Sequence, residues 1–581
     1  WIVGALDSAY NAVLNILKQA GATAKIAQMK ATWGSFSSPD VASDASPMSY
    51  VFAYNEVDRT ASAIAPGASA SIYGNSQYVF EGNIPAFVKD FDKVPQTMKK
   101  TAQDNKVIQM LNSQWDENVK QRAIADAAAP NNEQSPQNAI EQLEKIYYAN
   151  NFMTIPKPNF WLKDDDEFAL QQLAGFMPNL LAKISLEALE ELIIDANIPN
   201  LGDLIEPEKI SYVADYRQYL SVCTVTPPAY YLAKPIVFFS VSDDNELVPV
   251  GIQLEQDGEL FTPTMQNAEN AWLLAKIQTN CAGQSLHDVG YHQLLAHQIC
   301  SMVSISLFSE EVFNPFTKPV SSEPFQEHPV FKLLRPHVIK TTEFQQTIYN
   351  RNYDPYAQSF PDTRVVNGSA GVYNIGFVYD LIFSCGRIGN YQLQDKMYND
   401  NGNFRFLDMA IPTESAKSGV TETPFSYAYV HDASLWYEAM KNFVGEFVDT
   451  VYAGGDAAVA NDIQLQRFFN KLIPAFNHIE GSTEQAQRFP AEVVTVELLK
   501  EVLTMFVWQF SVQHTVVNDG AYYQAAFVPN ASTLMMPLPN KPASEWTADD
   551  VVAAMPSQTA TYPALGGMNF MDVQINASVT G

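Results

Sequence analysis

Residues 271–297 read AWLLAKIQTNCAGQSLHDVGYHQLLAH and carry three histidines at intervals of five, His287, His292 and His297. Five residues of an α-helix turn through a full circle and about 140° more, so neighbours in this series would face different directions. A π-type turn, whose hydrogen bonds join residues five apart, brings such residues onto one face and is common at functional sites. The spacing therefore predicts a π-type turn on which His292 and His297 form half of a metal site.

The other half of this site is predicted in residues 501–518, EVLTMFVWQFSVQHTVVN. This apolar stretch carries His514 and Asn518, which an α-helix places on one face because they are four residues apart. Burying an imidazole and an amide costs free energy unless both find partners. A metal shared with His292 and His297 would satisfy them. Hydrogen-bonded core histidines are the other interpretation that these residues leave open.

Composition and charge narrow the class of protein. The chain has 581 residues, of which 47% are hydrophobic and 17% charged, as in globular proteins. Its net charge of −29 repels phosphate backbones at long range, so we expect no nucleic-acid partner. The four cysteines form no CxxC pair, which favours buried free thiols over a disulfide framework or a zinc ribbon. No apolar run reaches the roughly 18 residues that a membrane span needs.

Helical periodicity dominates the chain, and strand signals are confined to residues 210–262. There YLAKPIVFFSV, the turn residues SDDNE and LVPVGIQLE predict a β-hairpin. The predicted fold class is therefore mainly α, a large helical domain with a small β subdomain. The predicted helices cover residues 5–29, 88–125, 138–149, 185–193, 270–307, 434–453, 462–476 and 493–518.

Over about 155–535 the sequence resembles the lipoxygenase family. Residues 271–297 resemble its Trp-x-x-Ala-Lys element followed by His-x4-His-x4-His. HPVFKLLRPH at 328–337 resembles its His-Pro-x-x-Lys-Leu-x-x-Pro-His element, and SVQHTVVNDGAYYQAAFVPN at 511–530 resembles its third-ligand segment. Three further segments, FWLKDDDEFALQQLAGFMPNLL, the predicted hairpin and ASLWYEAMKNFVGEFVDTVY, fit the family in the same order.

The resemblance implies a mononuclear non-haem iron centre, with manganese as the less favoured metal that some fungal members use. His287 matches a non-coordinating histidine, and Ala521 stands where plant members have a glutamine in the ligand network. Either Gly581 supplies the terminal carboxylate, or the true terminal ligand lies in a tail beyond it. The implied ligands are His292, His297, His514, Asn518 as a weaker oxygen donor, and the main-chain carboxylate of Gly581.

The activity that the resemblance implies is dioxygenation of polyunsaturated fatty acids of the linoleate or arachidonate type. The products would be fatty-acid hydroperoxides, the precursors of oxylipins. Two alternatives stay open: a hydroperoxide isomerase, which would consume no oxygen, and a metal-free lipid-binding protein, if the terminal ligand is missing. Five apolar residues near the ligands are predicted to line a dry channel for the acyl chain: Leu294, Leu295, Phe506, Val507 and Phe510.

The resemblance also implies a domain organisation of the bacterial type, without the N-terminal β-barrel of plant and animal members. Residues 1–150 are predicted to form a helical lid region and residues 151–581 the catalytic domain. An amphipathic helix at 5–29 would cover the substrate entrance, with transient contact to lipid or membrane, or would simply pack on the core. We expect a soluble monomer. The start at Trp1 indicates that an upstream segment was removed as a signal peptide or left out of the sequence, and the sequence does not decide between these. We expect a secreted or periplasmic location rather than a cytoplasmic one.

Overall fold

The computed structural model describes most of the second to fourth quarters of the chain. The predicted helices at 5–29 and 88–125 lie outside the described residues, as does nearly all of the predicted lid region, so these features stay predictions. The described residues are 135–148, 162, 164–175, 177–223, 230–307, 328–338, 383–399, 403–477, 485–525, 527–556 and 561.

Helices form the bulk of the described structure. Those predicted at 138–149, 185–193, 434–453 and 462–476 are confirmed to within a turn or two at each end. The α-helices are α1 Pro136–Tyr148, α2 Asp165–Ala174, α3 Leu186–Asp195, α4 Leu201–Leu204, α5 Arg217–Leu220, α6 Glu269–Leu286, α7 Ile299–Leu307, α8 Pro329–Val338, α9 Gly386–Asn399, α10 Ile411–Lys417, α11 Ala428–Val451, α12 Asp456–Asn461, α13 Ile463–Asn477, α14 Val496–Trp508, α15 His514–Ala525 and α16 Ala548–Ala553.

Two π-helical segments and three 3-10 turns complete the helical part of the described residues. The segment that we name π1 joins α6 to α7, and the segment that we name π2 joins α14 to α15, so each interrupts one long helix without ending it. They are π1 His287–Gln298 and π2 Gln509–Gln513, with 3-10 turns at Pro207–Lys209, Phe406–Met409 and Ala543–Glu545.

The small β subdomain is one antiparallel sheet whose strand order follows the chain. The predicted hairpin is confirmed, since Ile236 pairs with Gln253 and Val241 with Leu247 across it. Asn245 in its turn adopts φ of 62°, a conformation that asparagine tolerates better than most residues. The strands are β1 Leu181–Lys183, β2 Tyr212–Asp215, β3 Ile236–Val241, β4 Leu247–Gln253 and β5 Leu260–Phe261.

Helix α6 runs through the middle of the core, and all but its first residue are buried. Its one buried cation, Lys276, lies 2.7 Å from Asp165 Oδ1 at the start of α2. The Trp272 indole N–H donates to the same oxygen at 2.8 Å. Because a buried charge is costly unless it is paired, these contacts let a charged residue lie inside the core and fix α2 against α6.

Within the described residues, no helix combines the length and the apolar character that a bilayer crossing requires. The cysteines Cys223, Cys281, Cys300 and Cys385 are all buried, and none of them forms a disulfide. Burial raises the pKa of the Cys223 and Cys281 thiols to about 12, so both are protonated at neutral pH.

Candidate metal centre

The predicted π-type turn is confirmed and is longer than one turn, because π1 covers twelve residues. It directs His292 and His297 at one point: their ring centroids lie 4.6 Å apart and their Nε2 atoms 2.9 Å apart. Both rings are buried. Gly290 lets this segment pack closely on α9, because a Cβ at that position would overlap the Met397 sulfur.

His514 joins the pair from the other long helix. It is the first residue of α15, directly after π2, and its Nε2 lies 3.3 Å from His297 Nε2. One ring nitrogen from each of His292, His297 and His514 falls within 4.8 Å of the other two. The two π segments that carry the histidines pack against each other. The apolar periodicity predicted one regular helix over residues 493–518, so π2 was missed.

The spacing of the three nitrogens fits a shared cation better than hydrogen bonding. His297 Nε2 lies close to both other rings, yet a ring nitrogen offers a single in-plane direction for either a proton or a lone pair. Two metal–nitrogen bonds of about 2.1 Å at a right angle would place their nitrogens about 3.0 Å apart. The observed separations of 2.9 and 3.3 Å lie close to that value.

The rings of His297 and His514 are also in the protonation state that metal binding requires. Burial, followed by the neighbouring His514 and His292, holds the pKa of His297 well below its usual range. Burial lowers the pKa of His514 to about 4. Both imidazoles are therefore neutral at pH 7, and the neutral imidazole is the form that binds a metal.

His287 is directed away from this group. Its buried Nε2 lies 2.7 Å from the Val517 carbonyl oxygen, a contact that requires the ring to donate its N–H. The ring centroid lies 6.4 Å from that of His292. His287 therefore joins π1 to α15 by a hydrogen bond, which holds together the two segments that carry the other histidines.

The remaining predicted ligands are not tested by the described side chains. Asn518 lies one turn after His514 in α15, and Ala521 follows in the same helix. The structure does not describe either side chain, and Gly581 lies outside the described residues. Their roles stay predictions.

All five residues predicted for the substrate channel are buried: Leu294, Leu295, Phe506, Val507 and Phe510. The first two lie on π1 and the others on α14 and π2, so both helices that carry the histidines also present apolar side chains. The Phe506 and Phe510 rings stack at 5.7 Å, and Phe489 stacks on Phe506 at 6.0 Å. That these residues line a channel stays a prediction.

Sequence reasoning missed a polar cluster next to His514. Gln513 accepts a hydrogen bond from Tyr429, which in turn contacts Asn179, and Asn179 contacts Glu414. Burial raises the pKa of Glu414 to about 7, partly offset by the Asn179 hydrogen bond and by Lys417. These residues come from separate parts of the sequence, and only Gln513 lies beside a predicted ligand, so the sequence pattern did not indicate the cluster.

Comparison with known families gives one match that covers more than half of the chain. The model of the family described as Lipoxygenase matches residues 210–574, a range that includes His292, His297, His514 and Asn518.

Curated relatives agree with this match at low identity. The chain is 26% identical over 346 residues to the allene oxide synthase-lipoxygenase protein of Plexaura homomalla, covering 58% of this chain and 28% of the relative. It is 25% identical to the human polyunsaturated fatty acid lipoxygenase ALOX12, covering 72% and 57%, and 24% identical to mouse hydroperoxide isomerase ALOXE3, covering 73% and 55%. The chain thus spans about half or less of the length of these relatives.

Solved structures share the fold. A calcium-dependent 11R-lipoxygenase superposes with a TM-score of 0.56 at 20% identity, covering 74% of this chain and 60% of that one. A coral 8R-lipoxygenase superposes with a TM-score of 0.56 at 21% identity, covering 76% and 64%.

Proposed function

This chain belongs to the lipoxygenase family, and we propose that it inserts dioxygen into polyunsaturated fatty acids to give fatty-acid hydroperoxides. The observation that carries the proposal is the convergence of three imidazoles, His292, His297 and His514, from two π segments; the first two rings are buried and the third is half-buried. Fatty acids of the linoleate and arachidonate type are the proposed substrates.

Iron is the metal we propose for these residues, with manganese as the alternative. Three imidazoles suit divalent iron, and they leave room in its coordination shell for further ligands. We propose Asn518 and the C-terminal carboxylate, that of Gly581 or of a longer tail, as those ligands. When bound, the iron supplies the one-electron chemistry that activates the bis-allylic carbon of the fatty acid.

The protein's own part is to hold these ligands and to keep water away. Burial lowers the pKa of His297 and of His514, so no proton competes with the metal for these two ring nitrogens at neutral pH. The buried side chains of Leu294, Leu295 and Phe510 give an acyl chain apolar surface in place of water. An apolar chain that is positioned by such a wall presents its pentadiene to the metal site in a fixed orientation.

Oxygen consumption tests the proposal. We expect the full chain to consume oxygen with linoleate and to form conjugated dienes, and His514→Ala to reduce both to background. The matched control is His431→Ala, because the His431 ring is exposed and its Nδ1 lies 2.9 Å from Oδ1 of the neighbouring Asp432. Oxygen uptake that persists in His514→Ala would rule out this site as the reaction centre.

A hydroperoxide isomerase is the second candidate. The observation in its favour is the 24% identity to mouse hydroperoxide isomerase ALOXE3, over 73% of this chain. Such an enzyme would convert a fatty-acid hydroperoxide without consuming oxygen. Loss of added hydroperoxide with no oxygen uptake from linoleate would favour the isomerase, whereas neither activity, together with tight fatty-acid binding, would favour a lipid carrier.

A further inference from the structure

The segment that carries His514 is joined to a distant polar cluster through the residue immediately before it. Gln513 is the last residue of π2, and its side chain is buried. Its Oε1 lies 3.1 Å from the Tyr429 hydroxyl. Tyr429 belongs to α11, so this hydrogen bond joins the helix that carries the third histidine to a neighbouring helix.

The direction of this hydrogen bond is fixed by the other contacts of Tyr429. Asn179 Nδ2 lies 3.2 Å from the Tyr429 hydroxyl, and an amide nitrogen can only donate. The hydroxyl oxygen therefore accepts from Asn179, which leaves its single proton for Gln513. Burial and the nearby Glu414 carboxyl raise the pKa of Tyr429 well above its usual range, so this proton is present at all ordinary pH values.

Glu414 holds the far end of the cluster. Its two carboxyl oxygens lie 3.2 and 3.3 Å from Asn179 Nδ2, so the amide is held between Glu414 and Tyr429. These groups border a narrow pocket, which Leu181, Ile411 and Val430 also line. An apolar wall of this kind strengthens the hydrogen bonds beside it, because little water competes for the polar atoms.

The neighbouring tyrosine, Tyr427, offers a built-in comparison. It lines the same pocket, two residues before Tyr429, but its hydroxyl donates to the Pro178 carbonyl oxygen instead of to Gln513. Loss of the Tyr427 hydroxyl would therefore remove a hydrogen bond from the peptide unit before Asn179 but leave the Tyr429–Gln513 hydrogen bond in place.

We propose that Tyr429, held by Asn179 and Glu414, is a positioning residue that fixes Gln513 and thereby sets the orientation of the ligand His514. Gln513 and His514 share a peptide unit at the junction of π2 and α15, so rotation of one moves the other. The proposal rests on the proposed function only in requiring that a metal binds to the three histidines. In this proposal, a residue that is not itself a ligand constrains the orientation of the ligand His514.

The test compares Tyr429→Phe with Tyr427→Phe in the full chain, since each removes one hydroxyl and keeps the ring. Iron(II) affinity is measured by competition with a chelator, and the electron paramagnetic resonance spectrum of the ferric form reports ligand geometry. We expect Tyr429→Phe to weaken iron binding by about tenfold, as loss of an indirect support for a ligand does, and to change the spectrum. Tyr427→Phe should match the unaltered protein in both.

A second variant, Asn179→Leu, removes the amide that orients the Tyr429 hydroxyl and should change the ferric spectrum in the same direction. Identical affinity and spectra for Tyr429→Phe, Tyr427→Phe and the unaltered chain would overturn the proposal. Both readouts need no fatty acid. A protein that binds iron but does not oxygenate linoleate would therefore contradict the proposed function, while the effect of Tyr429→Phe on the metal could still be measured.

Discussion

The Nε2 atoms of His292 and His297 lie 2.9 Å apart although the two residues are five positions apart in one helix. In a regular α-helix their side chains would diverge by about 140°. The π-helical hydrogen bonding of His287–Gln298 removes that divergence, so the metal-binding capacity of this helix depends on its local helical type.

Close packing of π1 on α9 should depend on a glycine. We expect Gly290→Ala to lower the free energy of unfolding by about 1–2 kcal/mol, because the added Cβ meets the Met397 side chain in a packed core. Gly445→Ala on α11 is the matched control: nothing lies within 4 Å of its added Cβ, so it should gain about 0.5–1 kcal/mol of helix propensity. Urea titration checks both. Equal effects of the two substitutions would contradict the packing argument.

Metal binding should stabilise the fold in a way that depends on His514. At an iron(II) concentration of about 100 times the dissociation constant, the free energy of unfolding should rise by about 2.7 kcal/mol. We expect this gain to vanish in His514→Ala and to persist in His431→Ala, whose side chain is exposed. Thermal unfolding with iron(II) and with a chelator measures the difference. An iron-dependent gain retained in His514→Ala would place the metal elsewhere.

Glu414 should make stability depend on pH. Its pKa of about 7 in the folded state exceeds the ordinary value of 4.5, so the folded protein holds a proton that the unfolded chain releases. This contribution is complete below pH 4.5 and is lost as pH rises through 7. Through Glu414, the free energy of unfolding of the unaltered chain should therefore fall by up to about 3 kcal/mol between pH 5 and pH 8. Glu414→Gln should abolish this fall. Urea midpoints at the two pH values test this, and parallel pH profiles for both proteins would contradict it.

The buried lysine of α6 should depend on one carboxylate. Asp165→Asn leaves Lys276 without its ion pair, and we expect a loss of about 3 kcal/mol because an unpaired buried cation is costly. Asp166→Asn, at an exposed neighbouring position, should cost less than about 0.5 kcal/mol. Denaturant titration separates these values. A small effect at both positions would show that Lys276 tolerates the loss of Asp165.

Sequence periodicity predicted the elements whose pattern is local. The histidine spacing indicated π1, and the alternation around Ser242–Glu246 indicated the β3–β4 hairpin, because both depend on residues within one short stretch. Strand β1, Leu181–Lys183, has too few residues to show an alternation and was missed.

Features that depend on tertiary contacts gave no comparable signal. No series of histidines at intervals of five residues marks segment π2, so residues 493–518 were predicted as one regular helix. The hydrogen bonds of the Glu414, Asn179, Tyr429 and Gln513 cluster join residues that are 84 to 250 positions apart, and only folding brings them together.

The most direct test of the metal centre is the metal content of the purified full chain and of His514→Ala, measured by plasma mass spectrometry after saturation with iron(II) and removal of excess metal. Three imidazoles that converge on one point should retain about one iron per chain, and the loss of one imidazole should remove most of it. Absence of iron from the unaltered chain, or equal iron in both proteins, would contradict the assignment of His292, His297 and His514 as its ligands.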